Sequence, residues 1–187
     1  MATATGWICL PVNGSTSSGL SRLKAGNSLT PNLKMNQDFQ DLLRELCDAK
    51  ARFLIVGAYA LAVHGRPRAT GDIDVWVEPS DENATRVYSA LQAFGAPLHE
   101  LSVDDLHTPD IVFQMGLPPR RIDVLTTISG LDFSQAWPNR VHAKFGNVTV
   151  PVLSAEDLIR NKTRTGRSKD LADAQELSKL LKENGEL

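Results

Sequence analysis

The sequence predicts an α/β (α+β) domain: a small mixed β-sheet flanked by helices, with a C-terminal helical portion. Three observations carry this. An apolar run at residues 52–56 ends at Gly57 and passes at once into a helix-forming stretch. Residues 72–77 alternate acidic or aromatic side chains with β-branched ones, the period of a strand. Two helix starts, Ser154 and Ser168, are separated by the stop signal Gly166.

Taken in order, Phe39, Leu42, Leu43 and Leu46 recur at helical spacing and predict a first helix of about three turns. Residues 52–56 form a buried strand, and residues 58–63 a short helix directly after Gly57. Residues 72–77 form the next strand. After Pro79, Ser80 can cap a helix running to Phe94, with Val87 and Leu91 on its inner face. Residues 110–115 and 121–128 read as two further strands, with Gly116, Pro118 and Pro119 in the turn between them. A strand pair over 141–152 turns at Gly146 and Asn147. Ser154 with Asp157 makes a capping-box-like start, and Ser168 can cap the last helix. The expected organisation is a core over 35–153 with a helical pair, 154–187, packed on it.

Composition narrows the class. A net charge of −2 gives no global basic field, so nucleic-acid contacts would have to be local. Cys9 and Cys47 are far apart and form no CxxC pair, which argues against a zinc site or disulfide framework and fits a reducing compartment. No apolar run approaches a membrane span. The expectation is a cytoplasmic chain with no membrane partner. Residues 1–34 contain no acid, nine Ser or Thr, and Arg22, Lys24 and Lys34 as their charges. Such a stretch cannot bury enough apolar surface to offset its ordering entropy, so it is expected to be a disordered tail, or an upstream extension of a chain starting at Met35. A transit signal would need an amphipathic Arg-rich pattern, which is not evident.

The chemistry lies in Val56-Gly57-Ala58, followed after thirteen residues by Asp72-Ile73-Asp74-Val75. Alternate strand residues share a face, so Asp72 and Asp74 project together while Ile73 and Val75 turn to the core. Two carboxylates about 4 Å apart repel by about 4 kcal/mol at an effective dielectric of about 20. A cation relieves that repulsion, and hard oxygen ligands on a strand suit Mg²⁺ or Mn²⁺ with substrate phosphates completing the shell. Gly57 lets the backbone approach a phosphate and aims the first N–H groups of the following helix at it. Asp123, in Arg121-Ile122-Asp123-Val124, can complete a two-metal site. The alternative is a set of acids facing solvent.

This pattern of hydrophobic-Gly-Ala and Asp-hydrophobic-Asp-hydrophobic is similar to the signature of the DNA polymerase beta-like nucleotidyltransferase superfamily. The stretch from Gly57 to Gly65, with Arg68-Ala69-Thr70-Gly71-Asp72-Ile73-Asp74, resembles small stand-alone bacterial nucleotidyltransferases, among them AbiEii-type toxins of toxin–antitoxin and phage-defence systems. Lys162, then Arg167-Ser168-Lys169-Asp170-Leu171-Ala172-Asp173, resembles that group's lysine helix and Lys-Asp-x-x-Asp helix. The likeness covers roughly residues 36 to 182. It implies that Asp72, Asp74 and Asp123 are catalytic metal ligands, that Gly57 and Ala58 cradle phosphate, and that Lys162 contacts the triphosphate. Asp170 or Asp173 would orient nearby basic groups. His64, Arg68, Lys169 and Asp170 complete the expected nucleotide-binding set. One departure is Ala58, where the superfamily usually has Ser or Gly and where alanine offers no hydroxyl to a phosphate.

Several residues have structural alternatives. His64 can bond a backbone carbonyl at its helix end. Arg66 and Arg68 can be ion-paired, and Lys162 can be an ordinary helix lysine. Asp170 and Asp173 can pair with Arg167 or Lys169. Trp76 can pack rather than stack on a base. His99, His107 and His142 form no metal spacing. Two functions follow. One is transfer of a nucleoside monophosphate from a nucleoside triphosphate to a hydroxyl of RNA, protein or a small molecule, in a toxin–antitoxin setting with an antitoxin partner. The other is a catalytically weak nucleotide- or partner-binding module on the same fold.

Overall fold

In the computed structural model, which describes residues 35–185, six strands form one mixed sheet with helices around it. The expectation for residues 1–34 lies outside the described residues. The elements in chain order are α1 (Gln37–Asp48), β1 (Phe53–Ile55), α2 (Gly57–Val63), β2 (Asp72–Val77), α3 (Asp81–Phe94), β3 (Val112–Met115), β4 (Arg121–Leu125), α4 (Phe133–Ala136), β5 (Val141–Phe145), β6 (Val148–Val152), α5 (Ala155–Thr165) and α6 (Ser168–Glu183). The sheet order is β3-β4-β2-β1-β6-β5. The central pair, β2 and β1, is antiparallel, and each is flanked by a parallel neighbour, β4 beside β2 and β6 beside β1.

The register sorts side chains onto two faces. Ile73 and Val75 pair with Ile122 and Val124, and Val75 and Val77 with Ile55 and Phe53. All are buried. On the opposite face Asp72 lies beside Arg121 and Asp74 beside Asp123. Trp76, two residues along, pairs with Leu125 and Leu54. One hydrophobic core runs from Phe39 and Leu42 of α1 through the central strands to Leu158, Leu177 and Leu181 of the last two helices. No helix among the described residues is long and apolar enough to cross a membrane.

Cap chemistry follows the sequence at some ends and departs at others. Ser154 accepts from the Asp157 N–H and its hydroxyl donates to the Asp157 carboxylate at 2.9 Å, closing the box at the start of α5. Gly166 ends that helix at φ +73°, a left-handed conformation that glycine adopts without a Cβ clash. Ser80 stands at the N-cap of α3, yet its side chain makes no cap bond and turns back to Glu78. Ser168 is the first residue of α6 rather than its cap, which is Arg167.

The strands at 110–115 and 121–128 are shorter than the sequence predicts. Asp110 has φ +63°, which breaks the extended run before β3. Where β4 stops, the Thr126 N–H still donates to the Ile111 carbonyl at 3.1 Å, while the buried Thr126 hydroxyl donates to the Thr108 carbonyl at 2.7 Å and accepts the Ile111 N–H at 3.0 Å. Sequence periodicity also gives no sign of α4 or of the single 3₁₀ turns at Leu98–Glu100, Asp105–His107 and Trp137–Asn139. Elements this short lack a repeat to read.

Candidate active site

The acidic face of β2 and β4 opens into a cleft of about 560 Å³ bounded by the start of α2, the β3 edge, and the α5–α6 junction. Gly57, Ala58, Arg68, Asp72, Asp74, Asp123, Lys162, Lys169 and Asp170 all line it. A groove of about 630 Å³ between α5 and α6 mixes apolar side chains with Thr163, Gln175, Ser178 and two lysines and has Glu183 as its single acid, so the carboxylates concentrate in the cleft.

Gly57 has two reasons to be glycine. Its φ is +62°, and a Cβ there would fall 2.0 Å from Asp74 Oδ2. The Asp74 carboxylate thus packs on the turn between β1 and α2, while its backbone carbonyl accepts the Val56 N–H at 3.1 Å. Gly57→Ala is expected to lose about 1–2 kcal/mol from the left-handed backbone alone, with further loss from displacement of Asp74. Urea unfolding measures this, and a variant as stable as the parent would rule out the close approach.

Three carboxylates from two parallel strands in register supply hard oxygen donors to one cleft, the donor chemistry that Mg²⁺ or Mn²⁺ takes. Asp123 is buried, so it does not face open solvent. Asp74 records the crowding: burial, then the charges of Asp72 and Asp123, push its carboxyl from 3.8 up to about 6. A cation already answers this charge. Arg121 donates from Nε and Nη2 to Asp123 at 2.8 and 2.9 Å and from Nη2 to Asp72 at 2.5 Å. Thr70 donates to the other Asp72 oxygen at 2.6 Å. Among the described residues, no three His, Cys, Asp or Glu side chains are arranged as they stand to hold one ion; Asp72 and Asp123 are turned onto the guanidinium.

Lys162 is not a surface lysine. Its side chain is 5% exposed, and Nζ donates to Asp170 at 2.7 Å and meets Asp173 at 2.9 Å. Burying an ammonium demands such partners. Asp173 also lies 3.5 Å from Arg68 Nε, a charge contact without a hydrogen bond, so α6 sets carboxylates beside two cations of the cleft. Arg66 turns to Glu176.

His64 lies outside the cleft lining, and Trp76 takes the packed alternative. The His64 Nε2 sits 2.8 Å from the Leu153 carbonyl. Trp76 is buried, donates from Nε1 to the Thr126 carbonyl at 3.3 Å and meets Phe133 edge-on, so it does not offer a face to a base. Arg121 and Thr70 were missing from the predicted set. Period two would have found Arg121, since it lies two residues before Asp123 on the same strand face.

No curated protein matches the chain at a significant level. Residues 33–183 match the family model DUF6036, described as a nucleotidyltransferase of unknown function, and the chain belongs to that family.

Proposed function

We propose that the cleft transfers a nucleoside monophosphate from a nucleoside triphosphate to a hydroxyl, with release of pyrophosphate, and that the reaction requires Mg²⁺ or Mn²⁺. The observation that carries this reading is the in-register set Asp72, Asp74 and Asp123 facing a cleft that Gly57, Lys162 and Lys169 also line. A divalent ion held by those carboxylates would neutralise phosphate charge and activate the acceptor hydroxyl. The protein's own part is positioning and fixed charge. The first N–H groups of α2 have no helical carbonyl to bond and suit a phosphate oxygen. Lys162, held by Asp170 and Asp173, presents a charge whose place is set before substrate arrives. Arg68, likewise tied to Asp173, bounds the same end.

The acceptor is RNA, a protein side chain or a small molecule. The motif likeness to the DNA polymerase beta-like superfamily and to AbiEii-type toxins favours RNA or protein, in a toxin–antitoxin setting with an antitoxin partner. The test is incubation with each α-labelled nucleoside triphosphate, Mg²⁺, and either RNA or protein from a cell extract. Label retained in one acceptor pool, matched by pyrophosphate release and absent with Asp74→Asn, is the expected result. Release or labelling that persists in that variant would count against the cleft as the reaction site.

A further inference from the structure

Asp72 and Asp123 carry four carboxylate oxygens, and all four are hydrogen-bonded within the protein. One Asp72 oxygen accepts from Thr70 and the other from Arg121 Nη2, while both Asp123 oxygens accept from Arg121. The guanidinium is therefore forked onto two strands at once, at distances of 2.5 to 2.9 Å. Such charge-assisted, bidentate contacts are among the strongest a side chain makes. The fork is partly open to water, since the Arg121 side chain is 30% exposed against 8% for Asp123. It can therefore leave by side-chain rotation without unpacking the core.

We propose that Arg121 is the resident counter-ion of the carboxylate set and couples metal binding to nucleotide binding. This rests on the reading of the cleft as a metal-dependent nucleotidyltransferase site. A divalent ion arriving alone must strip the guanidinium from Asp72 and Asp123 and leave it only water. An ion arriving with a triphosphate brings phosphate oxygens into the cleft that Arg121 also lines, so the fork exchanges one set of anionic acceptors for another. The cost of displacement falls mainly on the first case. Metal and nucleotide then bind with positive linkage, and each raises the other's affinity by the same factor. The device limits occupation of the site by free metal and keeps the carboxylates neutralised between turnovers.

The test measures Mn²⁺ affinity by electron paramagnetic resonance of the full chain. It is run without nucleotide and with the α,β-methylene analogues of ATP, GTP, CTP and UTP in turn, on the parent protein and on Arg121→Gln. Removing the fork is expected to tighten binding of Mn²⁺ alone by about tenfold or more, the scale of losing charge-assisted hydrogen bonds that compete with the ion. The enhancement of Mn²⁺ binding by the best analogue should shrink by a similar factor. Equal affinity of the two proteins for Mn²⁺ alone, with analogue-enhanced binding intact, would overturn the proposal and leave the function standing. Failure of the parent protein to bind Mn²⁺ under any condition would overturn the function and the proposal together, and loss of binding in the folded variant alone would overturn the proposal.

A second measurement needs no variant. The Nε–H resonance of Arg121, set by its bond to Asp123, is followed by ¹⁵N NMR in the parent protein. It should move with Mg²⁺ plus analogue and stay in place with Mg²⁺ alone. A resonance unmoved while the analogue is bound would equally overturn the proposal.

Discussion

Asp74→Asn is expected to abolish nucleotidyl transfer and, at the same time, to stabilise the metal-free protein at neutral pH. The loss of rate should be on the order of a thousandfold, the scale for removing a preorganised group that stabilises charge in the transition state. The gain in stability follows from the environment of the carboxyl. Burial first, and the charges of Asp72 and Asp123 second, raise it from 3.8 to about 6. Between about pH 4 and pH 6 the folded chain holds a proton that the unfolded chain has released, so this group's contribution to stability falls as pH rises through that window. Above pH 6 the full penalty of about 3 kcal/mol is present, and below pH 4 it is absent. The variant removes the charge and with it the pH dependence. Urea midpoints of both proteins in EDTA, from pH 4 to pH 8, should coincide at the acid end and separate in favour of the variant at the neutral end. Parallel curves, or a variant less stable at pH 8, would contradict the crowded-carboxylate account.

Lys162→Met is expected to destabilise the fold by about 3–5 kcal/mol, the cost of breaking a buried ion pair from one side. The ammonium is 5% exposed and holds Asp170 and Asp173, which are themselves 16% and 13% exposed. Removing it strands two largely buried carboxylates, three residues apart on α6, with Arg68 as the remaining cation near Asp173. Adding Asp170→Asn and Asp173→Asn to the lysine variant should recover much of the loss, because uncharged partners need no counter-ion. Equilibrium unfolding of the three proteins decides the matter: a single variant within about 1 kcal/mol of the parent would class Lys162 as a surface lysine. Nucleotide affinity should fall in the single variant and stay low in the triple one, since restoring stability does not restore the charge.

Much of this was legible in sequence because strand and helix periods are short-range. The alternation at 72–77 puts Asp72 and Asp74 on one face wherever the strand lies, and Ser154 with Asp157 forms its box from four consecutive residues. The hairpin turning at Gly146 and Asn147 is equally local. What period alone does not reveal is pairing. The parallel register that sets Asp123 beside Asp74 depends on the crossover through α3 and the β3–β4 hairpin. The sequence gives Gly57 a reason in phosphate approach, and the structure adds a tertiary one, the Asp74 carboxylate lying where a Cβ would be. Arg121 shares a strand face with Asp123 by the same period, yet its fork onto Asp72 depends on the β2–β4 pairing. Ser80 shows the converse: the residue type suits a cap, but the hydroxyl turns to Glu78 instead.

The most direct test of the account is calorimetric titration of the full chain with nucleoside triphosphates, in Mg²⁺ and in EDTA, repeated on Asp72→Asn/Asp74→Asn. At least one triphosphate is expected to bind in Mg²⁺, with binding strongly weakened by EDTA and metal dependence lost in the folded double variant. A folded parent protein that binds no triphosphate, or binds one equally well in EDTA and in the double variant, would contradict it.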